Sequence, residues 1–146
     1  MRGGLRAAVL AAVLGLAAGR AGAEDTLRTV AFAHGQNSAT IHQGLVRGDS
    51  DIWVVIGRAG QNAEIKVKSL EDNVSFRIYQ PPSKVKRSED GIDIDGPQVS
   101  GVDPVPGLDA GAGRHWKGAL PASGRYYVVL SGDRGNATYD LTVTIR

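Results

Sequence analysis

The chain has 146 residues, 17 of them basic and 15 acidic, and no cysteine. The missing cysteine excludes disulfide staples, a thiolate metal site, a Cys nucleophile and a cysteine-linked lipid anchor. Arg2, Arg6 and Arg20 fall in a leader-like segment without acids, so residues 24–146 hold 14 basic and 15 acidic groups, and a nucleic-acid surface, which needs a net basic domain, is not expected.

That leader opens the chain. Arg2 and Arg6 precede an uncharged apolar run from Ala7 to Ala18, and Ala21-Gly22-Ala23 gives the small-x-small pattern of a signal-peptidase site. The run is well short of the ~20 apolar residues that cross a bilayer. Residues 1–23 are therefore expected to be a cleavable signal peptide. Residues 24–146 are expected to be one exported domain with no membrane anchor, long enough to bury a core without staples.

From there the apolar residues alternate with period two. Strands are expected at about 27–33, 38–46 and 51–57, where Trp53 and Val55 lie on the face opposite Ile52, Val54 and Ile56. One of these two faces therefore has to be covered by something. Ile65 and Val67 alternate with Glu64, Lys66 and Lys68, and Val74, Phe76 and Ile78 alternate with Ser75, Arg77 and Tyr79. Residues 81–113 break the rhythm: they hold five of the six prolines and few large apolar groups. A long surface loop is expected there. Alternation resumes at about 115–119 and 125–131, and it ends with Tyr139, Leu141, Val143 and Ile145. The seams, such as Arg47-Gly48-Asp49-Ser50 and Pro121-Ala122-Ser123-Gly124, carry turn chemistry. About eight short strands with no helical stripe predict an all-β, jelly-roll-type β-sandwich.

Few constellations suggest chemistry. His34, His42 and His115 have no partner at a catalytic spacing, and no nucleophile elbow or zinc-protease motif is present. The chain is not expected to be an enzyme, and no cofactor is expected. A hydrolase built on two close carboxylates is the least supported alternative. Glu89-Asp90-Gly91-Ile92-Asp93-Ile94-Asp95-Gly96 has the look of a cation loop, but Gly91 stands at the first ligand position and no closing Glu follows. The 89–95 segment therefore reads as a solvated acidic loop, and no metal site is expected. The sequon-like triplets Asn73-Val74-Ser75 and Asn136-Ala137-Thr138 read as turn residues. Trp53 and Trp116 suit either a sandwich core or a sugar-stacking platform, with the core favoured.

One run is more specific. Trp116-Lys117-Gly118-Ala119-Leu120-Pro121, followed by Ser123-Gly124-Arg125-Tyr126, resembles the final turn and strand entry of bacterial pre-peptidase C-terminal (PPC-like) domains. Gly44 to Trp53 resembles the first hairpin of that family, and Ala59-Gly60-Gln61 its Ala-Gly-Gln turn. The similarity runs over about residues 30–145. A single exported domain of this kind is most similar to the periplasmic inhibitors of goose-type lysozyme, which dock loops into the enzyme's cleft. That resemblance implies a periplasmic protein whose partner is goose-type lysozyme. The implied contacts are Ser123, Gly124, Arg125 and Tyr126, together with Asp133 and Arg134 from the last hairpin loop. That loop, Ser131 to Asn136, holds a single Arg, fewer basic residues than the family carries there. The alternative is a carbohydrate- or envelope-binding module, with a glycan as partner and Trp53, Trp116 and the tyrosines as platforms.

Overall fold

The computed structural model describes residues 25–146, so the expected signal peptide at 1–23 lies outside the described residues. Ten strands form in chain order: β1 (Thr26–Thr29), β2 (Ser38–Leu45), β3 (Ser50–Gly57), β4 (Asn62–Ser69), β5 (Val74–Tyr79), β6 (Lys84–Ser88), β7 (Gly91–Asp95), β8 (His115–Ala119), β9 (Gly124–Gly132) and β10 (Ala137–Ile145). Two four-stranded sheets stack face to face. The first has the order β1-β3-β9-β5 and the second β2-β10-β4-β8, while β6 and β7 make a separate hairpin. The neighbours are antiparallel except β1, which runs parallel to β3. The all-β sandwich is as the alternation predicts.

Period two decides what each strand buries. Trp53 and Val55, with Phe76, Ile78, Tyr126, Val128 and Leu130, face Ile65, Val67, Trp116, Tyr139, Leu141 and Val143 of the other sheet, and these residues form the main core. The odd and even residues of β10 split cleanly. Tyr139, Leu141, Val143 and Ile145 are buried, while Thr138, Asp140, Thr142 and Thr144 meet solvent on the outside.

The 81–113 stretch is not the long surface loop expected of it. Its first part is the β6–β7 hairpin, which lies over the back of the first sheet. Ile94 is buried there with Ile52, Val54 and Tyr127, and Val85 and Ile92 pack beside them. This is the cover that two apolar faces on β3 demand. The acidic residues of 89–95 belong to the hairpin: Asp95 pairs with Lys86 at 2.8 Å, and Asp93 Oδ1 accepts from the Ile94 N–H at 2.9 Å. Asp25 ties the hairpin down. Its carboxylate accepts the Ser50 N–H at 3.0 Å and the Ile92 N–H at 2.7 Å. Gly91, at φ 132°, lets the carboxylate approach, since a Cβ there would run into Asp25.

The second part of the stretch seals one flank. Phe76 and Gly113 exchange both backbone bonds, at 2.8 and 3.0 Å, and Val99 N–H reaches the Ile78 carbonyl at 3.0 Å. Val99 is buried, and the Ser100 carbonyl accepts the Trp116 indole N–H at 2.9 Å. The outer edge of β5 is thus paired along much of its length.

His115 fastens that segment to β8. One ring nitrogen meets Asp103 Oδ2 at 2.5 Å and the other meets Glu64 Oε1 at 2.9 Å. The hydrogen bond to Asp103, and next the one to Glu64, raise the His115 pKa above the usual imidazole value. A raised folded value means that the stabilisation is complete below the unfolded pKa of about 6.5 and is lost as pH rises through the folded one. The imidazole resonances of His115 are expected to titrate above that reference in an NMR experiment. Asp103→Asn is expected to bring the midpoint down, and a midpoint unmoved by Asp103→Asn would count against the pairing.

Candidate partner-binding surface

Strand β9 is nine residues long, so its ends stand roughly 30 Å apart. Ser123 and Gly124 sit at one end, Asp133 and Arg134 at the other. The six residues that the resemblance brings forward are therefore not one site.

At the first end two turns are laced together. Ser123 Oγ accepts the Ala59 N–H at 2.9 Å, Gly60 N–H reaches the Leu120 carbonyl at 2.9 Å, and Leu120 N–H reaches the Gln61 carbonyl at 2.8 Å. Gln61 closes its own turn by accepting the Arg58 N–H at 2.7 Å. Gly124 has φ 141°, and a Cβ there would lie 3.0 Å from the Pro81 ring, so both backbone and space favour glycine. Tyr126 fixes the turn from below. Its ring is 1% exposed, and its hydroxyl donates to the Ala122 carbonyl at 2.6 Å and accepts the Ala122 N–H at 3.1 Å. Alternation puts the Tyr126 side chain in the core, so it is not available as a partner contact: it is a packing residue that holds the turn.

What this end offers to a partner is Ser123, exposed Arg125, and a groove beside them. In the ladder Ile56 stands opposite Arg125, and Gly57 opposite Gly124. Ile56 is 60% exposed, the largest exposed apolar group at this end. The groove, of about 290 Å³, is lined by Phe32, Gln36, Ile56, Gly57, Arg58 and Gln61. Ile56 was read as part of an apolar face of β3 and is instead 60% exposed, while Arg58 carried no signal in the sequence. The turn that follows them was visible, but only the β3–β9 register carries them next to Ser123 and Arg125.

The far end is built differently. Asp133 faces inward: Oδ1 accepts the Ser75 hydroxyl at 2.6 Å, Oδ2 takes the Arg114 guanidinium at 3.1 Å, and its N–H reaches the Asn73 carbonyl at 2.7 Å. It braces the loop instead of presenting a charge. Arg134 has an exposed side chain, while its carbonyl accepts from Asn73 Nδ2 at 3.1 Å. Asn73 and Ser75 are themselves buried, which closes the first sequon-like triplet to modification.

Neither tryptophan is a platform. Trp53 is 9% exposed, donates to the Tyr139 hydroxyl at 2.9 Å and lies 5.6 Å from the Arg28 guanidinium; Trp116 is 3% exposed. Tyr126, Tyr127 and Tyr139 are buried as well, leaving only half-buried Tyr79. The carbohydrate-module alternative thus loses both of its tryptophan surfaces and most of its tyrosines.

Solved structures share this architecture. The crystal structure of Aeromonas hydrophila PliG, a periplasmic inhibitor of g-type lysozyme, is 24% identical over 84% of this chain and 98% of its own, with a TM-score of 0.60. A mutant of the Escherichia coli PliG, also a periplasmic inhibitor of g-type lysozyme, is 19% identical over 85% of this chain and 100% of its own, at 0.54. The pre-peptidase C-terminal domain of Bacillus anthracis collagenase is 14% identical over 82% and 96%, at 0.51. No family model and no curated protein matches the sequence. At these identities the likeness establishes the fold, which is the PPC-like sandwich that the Ser123-Gly124-Arg125-Tyr126 run resembles.

Proposed function

We propose that this chain is an exported, periplasmic inhibitor of goose-type lysozyme that docks the Ser123 end of the sandwich into the enzyme's cleft. The observation that carries the reading is the pre-ordered turn at 120–124. Its backbone is locked by Ala59, Gln61 and Tyr126, so little loop entropy is lost on binding. Beside it Arg58 and Arg125 supply two guanidinium groups with no acidic partner among the described residues, suited to charge-assisted hydrogen bonds with the carboxylates of a glycosidase cleft. Ile56 and the adjoining groove add apolar area. The fold shared with proteins described as inhibitors of that enzyme agrees with the reading. On this account Arg134 lies at the wrong end to enter the same cleft.

The purified protein is expected to suppress goose-type lysozyme near a one-to-one ratio. Reversing both guanidinium charges, Arg58→Glu with Arg125→Glu, is expected to weaken inhibition about 10–100-fold at an unchanged melting temperature. Arg134→Glu is expected to leave inhibition nearly intact. Absence of inhibition by the native protein at large molar excess overturns the proposal, and a loss confined to Arg134→Glu moves the contact to the other end.

A further inference from the structure

The two laced turns, 58–61 and 120–124, stand between two grooves. One is the groove of Ile56 and Arg58. The other, of about 510 Å³, lies on the opposite side of the 120–124 turn, between β8 and the start of the 97–113 segment. Its lining includes Gln80, Gln98, Trp116, Gly118, Ala119 and Pro121. Pro121 belongs to the turn itself, so turn and groove form one continuous surface.

Gly118 accounts for the hollow. Alternation along β8 turns Trp116, Gly118 and Leu120 to the inner side, and Gly118 has no side chain to fill its place. A Cβ there would lie 3.2 Å from the Trp116 ring, so the open floor rests on the indole and on buried Val99. The rim is polar. The side-chain amides of Gln80 and Gln98 make no hydrogen bond within the described residues.

Strand β8 adds a backbone edge. Val67 N–H bonds the Arg114 carbonyl at 2.9 Å, so in the ladder the even residues Trp116 and Gly118 turn their backbone groups towards β4. The odd residues point the other way. The His115 carbonyl takes the Asp103 N–H at 3.0 Å, while the N–H and C=O of Lys117 and Ala119 open on the side of the groove.

We propose that this groove takes an extended segment from the rim of the lysozyme cleft, which pairs with β8 at Lys117 and Ala119 and sets an apolar side chain on the floor that Gly118 leaves open. The inference rests on the inhibitor reading and extends it from the turn to a second contact.

The shape of the surface argues for this occupant. A turn that enters a cleft is straddled by the two rims of that cleft. One rim falls on Ile56 and Arg58, and the other falls on the β8 groove. Extended backbone suits the groove because Lys117 and Ala119 repeat the same outward N–H and C=O two residues apart, the spacing of a strand. Across the groove each glutamine amide carries both donors and an acceptor, which the outer edge of an added strand needs. A glycan would call for an exposed aromatic face, and Trp116 is 3% exposed.

In the complex with goose-type lysozyme, amide exchange is expected to slow at Lys117 and Ala119. It is expected to stay unchanged at Trp116 and Gly118, whose N–H groups β4 already holds. Ala119→Pro removes an outward N–H and leaves the bonds to β4 in place. It is expected to keep the native circular dichroism and to weaken inhibition about tenfold, through a lost intermolecular hydrogen bond and the room its ring takes from the added strand. Full inhibition by folded Ala119→Pro overturns this inference and leaves the inhibitor reading standing. So do Lys117 and Ala119 amides that exchange as fast in the complex as in the free protein. A native protein that does not inhibit at large molar excess overturns both. If Ala119→Pro fails to fold, the exchange pattern of the native complex decides the matter by itself.

Discussion

Tyr126→Ala is expected to lower the thermal midpoint by about 10–20 °C, since truncating a buried aromatic costs about 3–5 kcal/mol and each kcal/mol shifts a domain of this size by about 4 °C. The side chain is 1% exposed and packs among Val55, Ile78 and Val128 in the main core. Its loss leaves a cavity that rigid strands on both sides cannot fill. It also frees both backbone groups of Ala122, which the hydroxyl holds at 2.6 and 3.1 Å. Tyr126→Phe separates the two effects. It keeps the ring and drops only the hydroxyl, with an expected loss of about 1 kcal/mol, yet it releases the turn that carries Ser123. Calorimetry on the pair, set beside lysozyme inhibition, distinguishes packing from positioning. If Tyr126→Ala melts like the native protein, the core assignment fails.

The second large effect is expected at Asp51. This carboxylate is 5% exposed and lies where β1, β3 and β10 meet. Oδ1 accepts from the Thr26 hydroxyl and Oδ2 from the Tyr139 hydroxyl, both at 2.6 Å, and the Tyr139 oxygen accepts the Trp53 indole N–H at 2.9 Å. Burial, and next the bond to Asp51, push the Tyr139 phenol well above its usual range, so it remains a donor at any ordinary pH. No buried side-chain nitrogen or oxygen among the described residues lacks a partner. Asp51→Ala strips two hydroxyls of their acceptor at once and is expected to cost about 2–6 kcal/mol, at about 1–3 kcal/mol for each buried donor left unpaired. Asp51→Asn keeps an acceptor oxygen and is expected to cost much less. Urea unfolding of the two variants reads the difference directly. Equal losses would mean that the volume of the side chain matters and its acceptor oxygens do not.

Both effects sit on residues whose partners were not written in the local sequence. Tyr126 opens a continuous apolar run from Tyr126 to Leu130, so period two alone did not say which face of the strand turns inward. Its appearance in a turn motif drew it towards a binding role that a 1% exposed ring cannot fill. Asp51 gave no local sign of its importance. It precedes a run of apolar residues and looks like the end of a turn, and its acceptors serve hydroxyls 25 and 88 residues away.

The hairpin at Lys84–Ser88 and Gly91–Asp95 shows the same limit. Val85, Ile92 and Ile94 do alternate, but charged and turn-forming neighbours dilute the signal between two proline-rich flanks. Only the back of β3 supplies the apolar surface that makes those three residues a strand-forming face. The need for a cover was legible from Ile52, Val54 and Ile56, while the identity of the cover was not.

The sequence by itself determined the elements with strong period-two patterning, the two-sided burial of β3, the likeness of the Ser123-Gly124-Arg125-Tyr126 run, and the near-neutral charge of residues 24–146. Each of these depends on residues within a few positions of one another, where backbone geometry alone dictates which face a side chain takes. Tertiary structure decided the rest: that Arg58 joins Ser123, that Arg134 does not, that Asp133 is a brace, that residues 97–113 close one flank, and that β8 keeps an open edge beside the turn. Those outcomes turn on pairing register and sheet order. Both are set by the fit of distant segments in one core, so no short stretch of chain carries them.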